Sequence, residues 1–161
     1  MKTRITRRSP IQRRWVVRNQ SRKPIPVPRK TIRRLAKRVL DYKKPREWGP
    51  LTFVFMDDLE IRTVNRRFLR RDRPTDVIAF TYGEPDCWGE VLINIDQAGR
   101  QAKDYGVSLT EEVGRLVVHG MLHIMGYNDS DESSKKNMND MENHCLSLWM
   151  KPVQRTSNKK S

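Results

Sequence analysis

The sequence predicts a single α+β or α/β domain of about four short strands and five helices. Three observations carry that expectation. The chain has 161 residues, a size at which one hydrophobic core is usual. Short apolar runs rich in Val, Ile and Phe alternate with segments whose apolar residues recur every three or four positions, the periods of strand and helix. Gly, Pro and Asp clusters separate them, and no internal repeat is present.

The elements follow in order. Residues 1–12 are polar and basic, so they are expected to form a disordered arm. Trp15-Val16-Val17 is strand-like, and Pro24, Pro26 and Pro28 then exclude helix interior. From Arg29 to Tyr42, Ile32, Leu35, Ala36, Val39 and Leu40 share one helical face, and the outer face is nearly all Arg and Lys. Leu51–Met56 reads as a buried strand. Asp57 with Glu60 has the spacing of a capping box, opening a helix through Ile61, Val64, Asn65 and Phe68. Pro74-Thr75-Asp76 is a turn. Val77–Phe80 and Glu90–Asn94 are two further strands joined by the loop from Gly83 to Gly89. Asp96 is the expected cap of a short helix ending near Tyr105. Ser108 with Glu111 opens the next helix, which runs to Met125 and stops at Gly126. Asp131 to about Leu148 forms the last. The folded domain is thus expected over residues 13–150, with a basic polar tail at 151–161.

The net charge of +14 is unevenly distributed. Residues 1–50 hold 18 Lys and Arg against only Asp41 and Glu47, whereas residues 51–150 hold 11 against 17 acids. Clustered cations gain affinity for polyanions by releasing counterions, so a polyanionic partner such as RNA is expected, with a solubilising tail as the plain alternative. The basic stretch lacks a sustained apolar face with aromatic anchors, which argues against a membrane surface. There is no apolar run of about 18 residues and no apolar segment after the basic start, so neither a transmembrane helix nor a secretory signal is expected. Cys87 and Cys145 lack ligand-type spacing and read as reduced thiols of a cytoplasmic protein.

Chemistry concentrates near residue 120. His119 and His123 lie at i, i+4 on one helix, which stacks both imidazoles on one face as two metal ligands require. Taken alone, such a pair is also common as surface or core residues. The Gly126-Tyr127-Asn128-Asp129 turn that follows adds weight, because Asp129 can fold back as a third ligand and leave a coordination position open for water. Gly120 replaces the glutamate that a metalloprotease helix uses as general base, and its small size leaves room for substrate or another element. His144 reads as a solvated or capping residue, and Cys145 as core. Asp131, Glu132 and Asp140 are candidate acids behind the ligands. Trp88 is a candidate for stacking on a base or, more simply, for covering the core edge.

The stretch from His119 to Asp129 (HGMLHIMGYND) closely resembles the HGxLHxxGYDH signature of the YbeY family. Asn65 to Phe80 (NRRFLRRDRPTDVIAF) resembles that family's NxxYRxxDxPTDVLSF block, and Gly89–Ile93 its GDIVI strand, in the same order and spacing. The resemblance implies an α+β fold, with a small mixed sheet flanked by helices and a zinc site in a cleft. It further implies a metal-dependent endoribonuclease acting on single-stranded RNA, in particular at the 3′ end of small-subunit rRNA, with a part in ribosome quality control. His119 and His123 carry over as ligands, and Thr75 and Asp76 as a turn beside the cleft.

Two departures stand out. The family's third histidine is Asp129 here, preceded by Asn128, and a carboxylate ligand should make Mn2+ or another divalent ion more acceptable alongside Zn2+. The family's motif arginine falls at Leu69. Arg67, Arg70 and Arg71 are the neighbouring cations. Arg70 is assigned to the scissile phosphate beside His119 at the metal, and Arg67 and Arg71 to RNA binding with Arg33, Arg34 and Lys37 of the basic helix. The expected partners are rRNA, the ribosomal small subunit and its associated factors. Leu69 keeps open the alternative of a non-catalytic RNA-binding ribosome-assembly factor with a structural metal.

Overall fold

The computed structural model describes residues 15–149; the arm at 1–12 and the tail at 151–161 lie outside the described residues. The elements are β1 (Trp15–Asn19), α1 (Arg29–Lys43), β2 (Leu51–Met56), α2 (Asp58–Leu69), β3 (Val77–Thr81), β4 (Gly89–Asn94), α3 (Ile95–Tyr105), α4 (Leu109–Ile124) and α5 (Glu132–Trp149). The strands form one mixed sheet in the order β1-β2-β4-β3. β1, β2 and β4 are parallel, and β3 is antiparallel to β4 at the edge.

Burial follows the strand period of two. Val17, Phe53, Phe55, Val91 and Ile93 face the larger core, which also takes the buried faces of α1, α4 and α5. Val54, Met56, Ile78 and Leu92 face the other way, where Ile61 of α2 closes a smaller core. β2 is therefore buried along its whole length, as a strand covered on both faces must be. The stripe read from α1 is buried as expected. Each such Leu, Ile or Val side chain contributes roughly 1.5–3 kcal/mol when taken fully out of water.

The expected capping box of α2 forms in both directions between Asp57 and Glu60. Ser108 caps α4 by accepting from Glu111 N at 3.1 Å. At α3 the expectation was two residues late. Asn94 is the cap, and its Oδ1 accepts from the Asp96 and Gln97 amides. Asp96 instead sits in the first turn, pairs with Lys23 and accepts from Asp58 N at 3.0 Å. The strand delivers Asn94 to the helix start directly, with no linking residue.

α4 lies across the sheet so closely that Gly120 has no alternative. A Cβ there would stand 2.3 Å from Val91 Cγ1 and 3.3 Å from Val77 Cγ2. The small residue thus admits the sheet, not a substrate. α4 ends at Ile124, and Gly126 in the turn after it has a φ of +93°, open to glycine at little cost.

Candidate metal centre and the groove beside it

α4 presents His119 and His123 on its solvent-facing side, one turn apart, with ring centroids 4.5 Å apart. Gly126 reverses the chain, and the Asn128 side chain, accepting from the Ser130 hydroxyl at 3.0 Å, folds the next three residues into a tight turn. Asp129 is thereby carried back over the histidines. His119 Nε2 and His123 Nε2 stand 2.9 Å apart, and the Asp129 carboxylate lies 3.7 Å from the first and 3.9 Å from the second.

These residues fit a metal ion. Nitrogen and oxygen ligands at about 2.0–2.1 Å in tetrahedral geometry stand roughly 3.3 Å from one another, and the three separations bracket that value. Both Nε2 atoms and the carboxylate converge on the same small space, as ligands of one shared ion would. All three side chains remain partly exposed, at 23%, 30% and 44%, so one side of the triangle is open.

A residue the sequence reading missed stands behind His119. Glu142 of α5, 3% exposed, meets His119 Nδ1 at 2.5 Å and accepts from Arg115 Nη1 at 3.0 Å. A carboxylate on Nδ1 fixes the tautomer that leaves Nε2 free to bind a metal. The available signal was Glu142 itself, an acid among Met138, Met141 and Cys145 on the buried stripe of α5. The acids named instead do other things: Asp131 caps α5 through Ser134 N at 2.8 Å, and Glu132 and Asp140 are exposed.

The two imidazoles titrate in opposite directions. Burial lowers the affinity of His119 for a proton, but the Glu142 bond and the Glu142, Asp129 and Asp76 charges together outweigh it, so its pKa rises. Burial, aided by the charge of His119, lowers that of His123.

A groove of about 460 Å³ opens beside His123 along the free edge of β3. Its far wall is the C-terminal end of α2 and the turn after it, including Asn65, Leu69, Arg71, Arg73 and Thr75. Asn65, 2% exposed, donates to Arg73 O at 2.8 Å and shapes this wall. Asp76 anchors the turn by accepting from Val77 N at 2.8 Å and from Gln101 Nε2 at 3.2 Å.

The other residues singled out from the sequence fall in different places. Arg71 lines the groove, and so does Arg73, which had not been singled out. Arg70 forms the left-handed cap of α2 and is not among the lining residues; Arg67 lies over the Phe68 ring at 5.3 Å. Arg33, Arg34 and Lys37 sit on α1, which packs near β1 at the opposite edge of the sheet. Lys37 pairs with Asp41, and Arg33 Nε reaches Trp15 O at 3.3 Å. His144 stacks on Tyr42 at 4.1 Å, away from the ligands, and Trp88 packs against the core edge. Burial pushes the Cys145 thiol up to about 11.

Comparisons with known proteins bear on the family and the fold. The family model described as Endoribonuclease YbeY matches residues 16–150. Endoribonuclease YbeY of Aquifex aeolicus is 40% identical over 108 residues, which span 64% of this chain and 72% of that protein. Endoribonuclease YbeY of Syntrophus aciditrophicus is 34% identical over 137 residues, 81% of each chain. A solution structure of TM1509 from Thermotoga maritima superposes with a TM-score of 0.59 over 91% of this chain and 99% of that one, at 20% identity, and so shares the fold. With the family model spanning nearly the whole described region and relatives at this level of identity, the chain belongs to the YbeY endoribonuclease family.

Proposed function

We propose that this protein is a metal-dependent endoribonuclease that cuts single-stranded RNA during rRNA maturation, including the 3′ end of the small-subunit rRNA. The observation that carries the reading is the His119–His123–Asp129 triangle with an arginine-lined groove beside its His123 corner. Ribosomal small-subunit particles and their associated factors are the partners this substrate implies.

Zinc is the metal that two imidazoles and a carboxylate suit best, and bound there it supplies Lewis acidity toward a phosphate and acidifies water. The Asp129 carboxylate lowers the net positive charge of such a site and widens its tolerance toward Mn2+. Glu142 holds His119 in the ligating tautomer. Arg71 and Arg73 hold the phosphate from the other wall and supply the cation that the sequence alone assigned to Arg70. Arg33, Arg34 and Lys37, with Arg67 and the basic arm, bind the flanking backbone, contacts that add affinity with little sequence preference.

The test is cleavage of single-stranded rRNA by metal-loaded protein beside His119→Ala and Asp129→Ala variants. Cutting by the wild type alone is the expected result. RNA binding without cutting in any sample would sink the nuclease reading and leave an RNA-binding assembly factor with a structural metal. No helix among the described residues is long and apolar enough to cross a membrane.

A further inference from the structure

On the α2 side of the sheet, three aromatic rings form a ladder next to the groove. Phe80 of β3 is the middle rung. The Phe68 ring meets it edge-on at 5.8 Å, and the Tyr82 ring lies 6.4 Å away with its plane only 17° off parallel. Phe80 is half-buried against the smaller core and also lines the groove, so the ladder is anchored and continuous with the site. The Tyr82 hydroxyl donates to Glu90 Oε2 at 2.8 Å, which fixes the third ring.

The outer rungs are open. Phe68 is 59% exposed and Tyr82 47%, although aromatic side chains ordinarily bury most of their large apolar area. Cations gather at the Phe68 end, while the Tyr82 end meets Glu90. Arg67 lies over the Phe68 ring, and Arg66, Arg71 and Arg73 are exposed nearby without an ion pair among the described residues. Of the two acids in the following turn, Asp72 is engaged by Arg62 through two hydrogen bonds of 2.9 and 3.1 Å, and Asp76 accepts from Val77 N and Gln101 Nε2. An apolar protein surface would have to desolvate these guanidiniums. A polyanion with exposed π-faces satisfies rings and cations together, and single-stranded nucleic acid is that polymer. A duplex keeps its bases stacked inside and offers the rings nothing.

We propose that Phe68, Phe80 and Tyr82 form a base-stacking platform that receives the unpaired bases of the RNA whose phosphates run along the groove. The proposal rests on the single-stranded RNA reading of that groove and makes the platform the source of strand-state selectivity. The arginines respond to any phosphate backbone, whereas the rings respond only to bases that are free to stack.

The experiment is a binding titration of full-length, metal-free protein with a short labelled single-stranded RNA and with a strand of equal length in which the bases are removed. Phe68→Ala should weaken binding of the base-bearing strand on the order of 10-fold and leave the abasic strand unchanged. Phe68→Trp should restore it, and adding Tyr82→Ala should weaken it further. Circular dichroism melting establishes that each variant is folded. Equal losses for both strands would show a purely electrostatic surface and overturn the platform, as would no loss for either. Displacement of wild-type RNA by an extended apolar peptide would also overturn it, by showing that the free edge of β3 recruits a strand. Cleavage is scored separately with metal. Wild type that cuts while Phe68→Ala binds normally sinks the platform alone; a ring-dependent affinity without cutting sinks the nuclease reading alone.

Discussion

Replacing Glu142 with glutamine removes a charge and almost no volume from a carboxylate that serves two partners at once. One oxygen meets His119 Nδ1 at 2.5 Å and the other accepts from Arg115 Nη1 at 3.0 Å, at a position 3% exposed. Glutamine has only one oxygen. Turned toward Arg115, it aims its NH2 at His119 Nδ1 and drives the ring proton to Nε2, the atom that faces His123. Turned toward His119, it sets two donors against each other at Arg115. In the first orientation the ligating lone pair is lost, and in the second a charged hydrogen bond of about 1.5–3 kcal/mol is lost. Removing such a partner of a metal-binding histidine lowers metal affinity about 10–100-fold, roughly 1.4–2.7 kcal/mol. Zinc affinity from competition against a chelator should fall within that range, and metal-free unfolding should shift to lower temperature by several degrees. Zinc affinity within about twofold of wild type, with stability still reduced, would show that Glu142 serves Arg115 alone and refute its role behind the metal.

Other perturbations have defined outcomes. Gly120→Ala places a methyl group 2.3 Å from Val91 Cγ1; the overpacking, about 1–3 kcal/mol, should exceed the helix gain of about 1 kcal/mol, so denaturant titration should show a net loss. A more stable variant would mean that α4 and the sheet separate easily. Leu69→Arg returns a cation to the groove wall and should raise kcat/KM for RNA on the order of 10-fold; an unchanged rate would show that Arg71 and Arg73 already suffice. Glu112 is 2% exposed with Oε2 unpartnered, and burial, the largest effect, raises its pKa. A carboxyl with a raised folded pKa favours the folded state at low pH, and that contribution fades as pH climbs from the ordinary value of 4.5 through the raised one. Glu112→Gln should flatten this decline and be the more stable protein at neutral pH, and parallel stability–pH curves would contradict it. Removing residues 1–14 takes away six Lys and Arg but spares β1. The slope of log affinity against log salt should shrink by about 0.7 for each phosphate that the arm no longer neutralises, and an unaltered slope would take the arm out of RNA binding.

The elements were legible in the sequence because each is signalled locally. The stripe Ile32-Leu35-Ala36-Val39-Leu40, the Asp57–Glu60 box and the apolar run Leu51–Met56 each state their conformation within a few residues. The displaced helix cap, Asn94 for Asp96, arose because both residues can cap and only the end of β4 chooses between them. The His119–His123–Asp129 cluster was legible for the same reason: i, i+4 spacing places two imidazoles together on any helix, and a glycine turn brings Asp129 back to them.

What lies across the chain had no such local signal. Glu142 reaches His119 from another helix, 23 residues away. Arg71 and Arg73, rather than Arg70, line the groove, and the left-handed cap at Arg70 turns the chain just before them. The aromatic ladder joins the end of α2 to β3 and the loop beyond it. The sequence by itself determined the strands and helices, the three residues that can hold a metal and the excess of positive charge, since periodicity, capping and spacing act within a few residues. Only the tertiary structure decided which carboxylate orients His119, which arginines face the groove and which rings stay exposed, because each depends on how α2 and α4 pack against the sheet and α5 against α4.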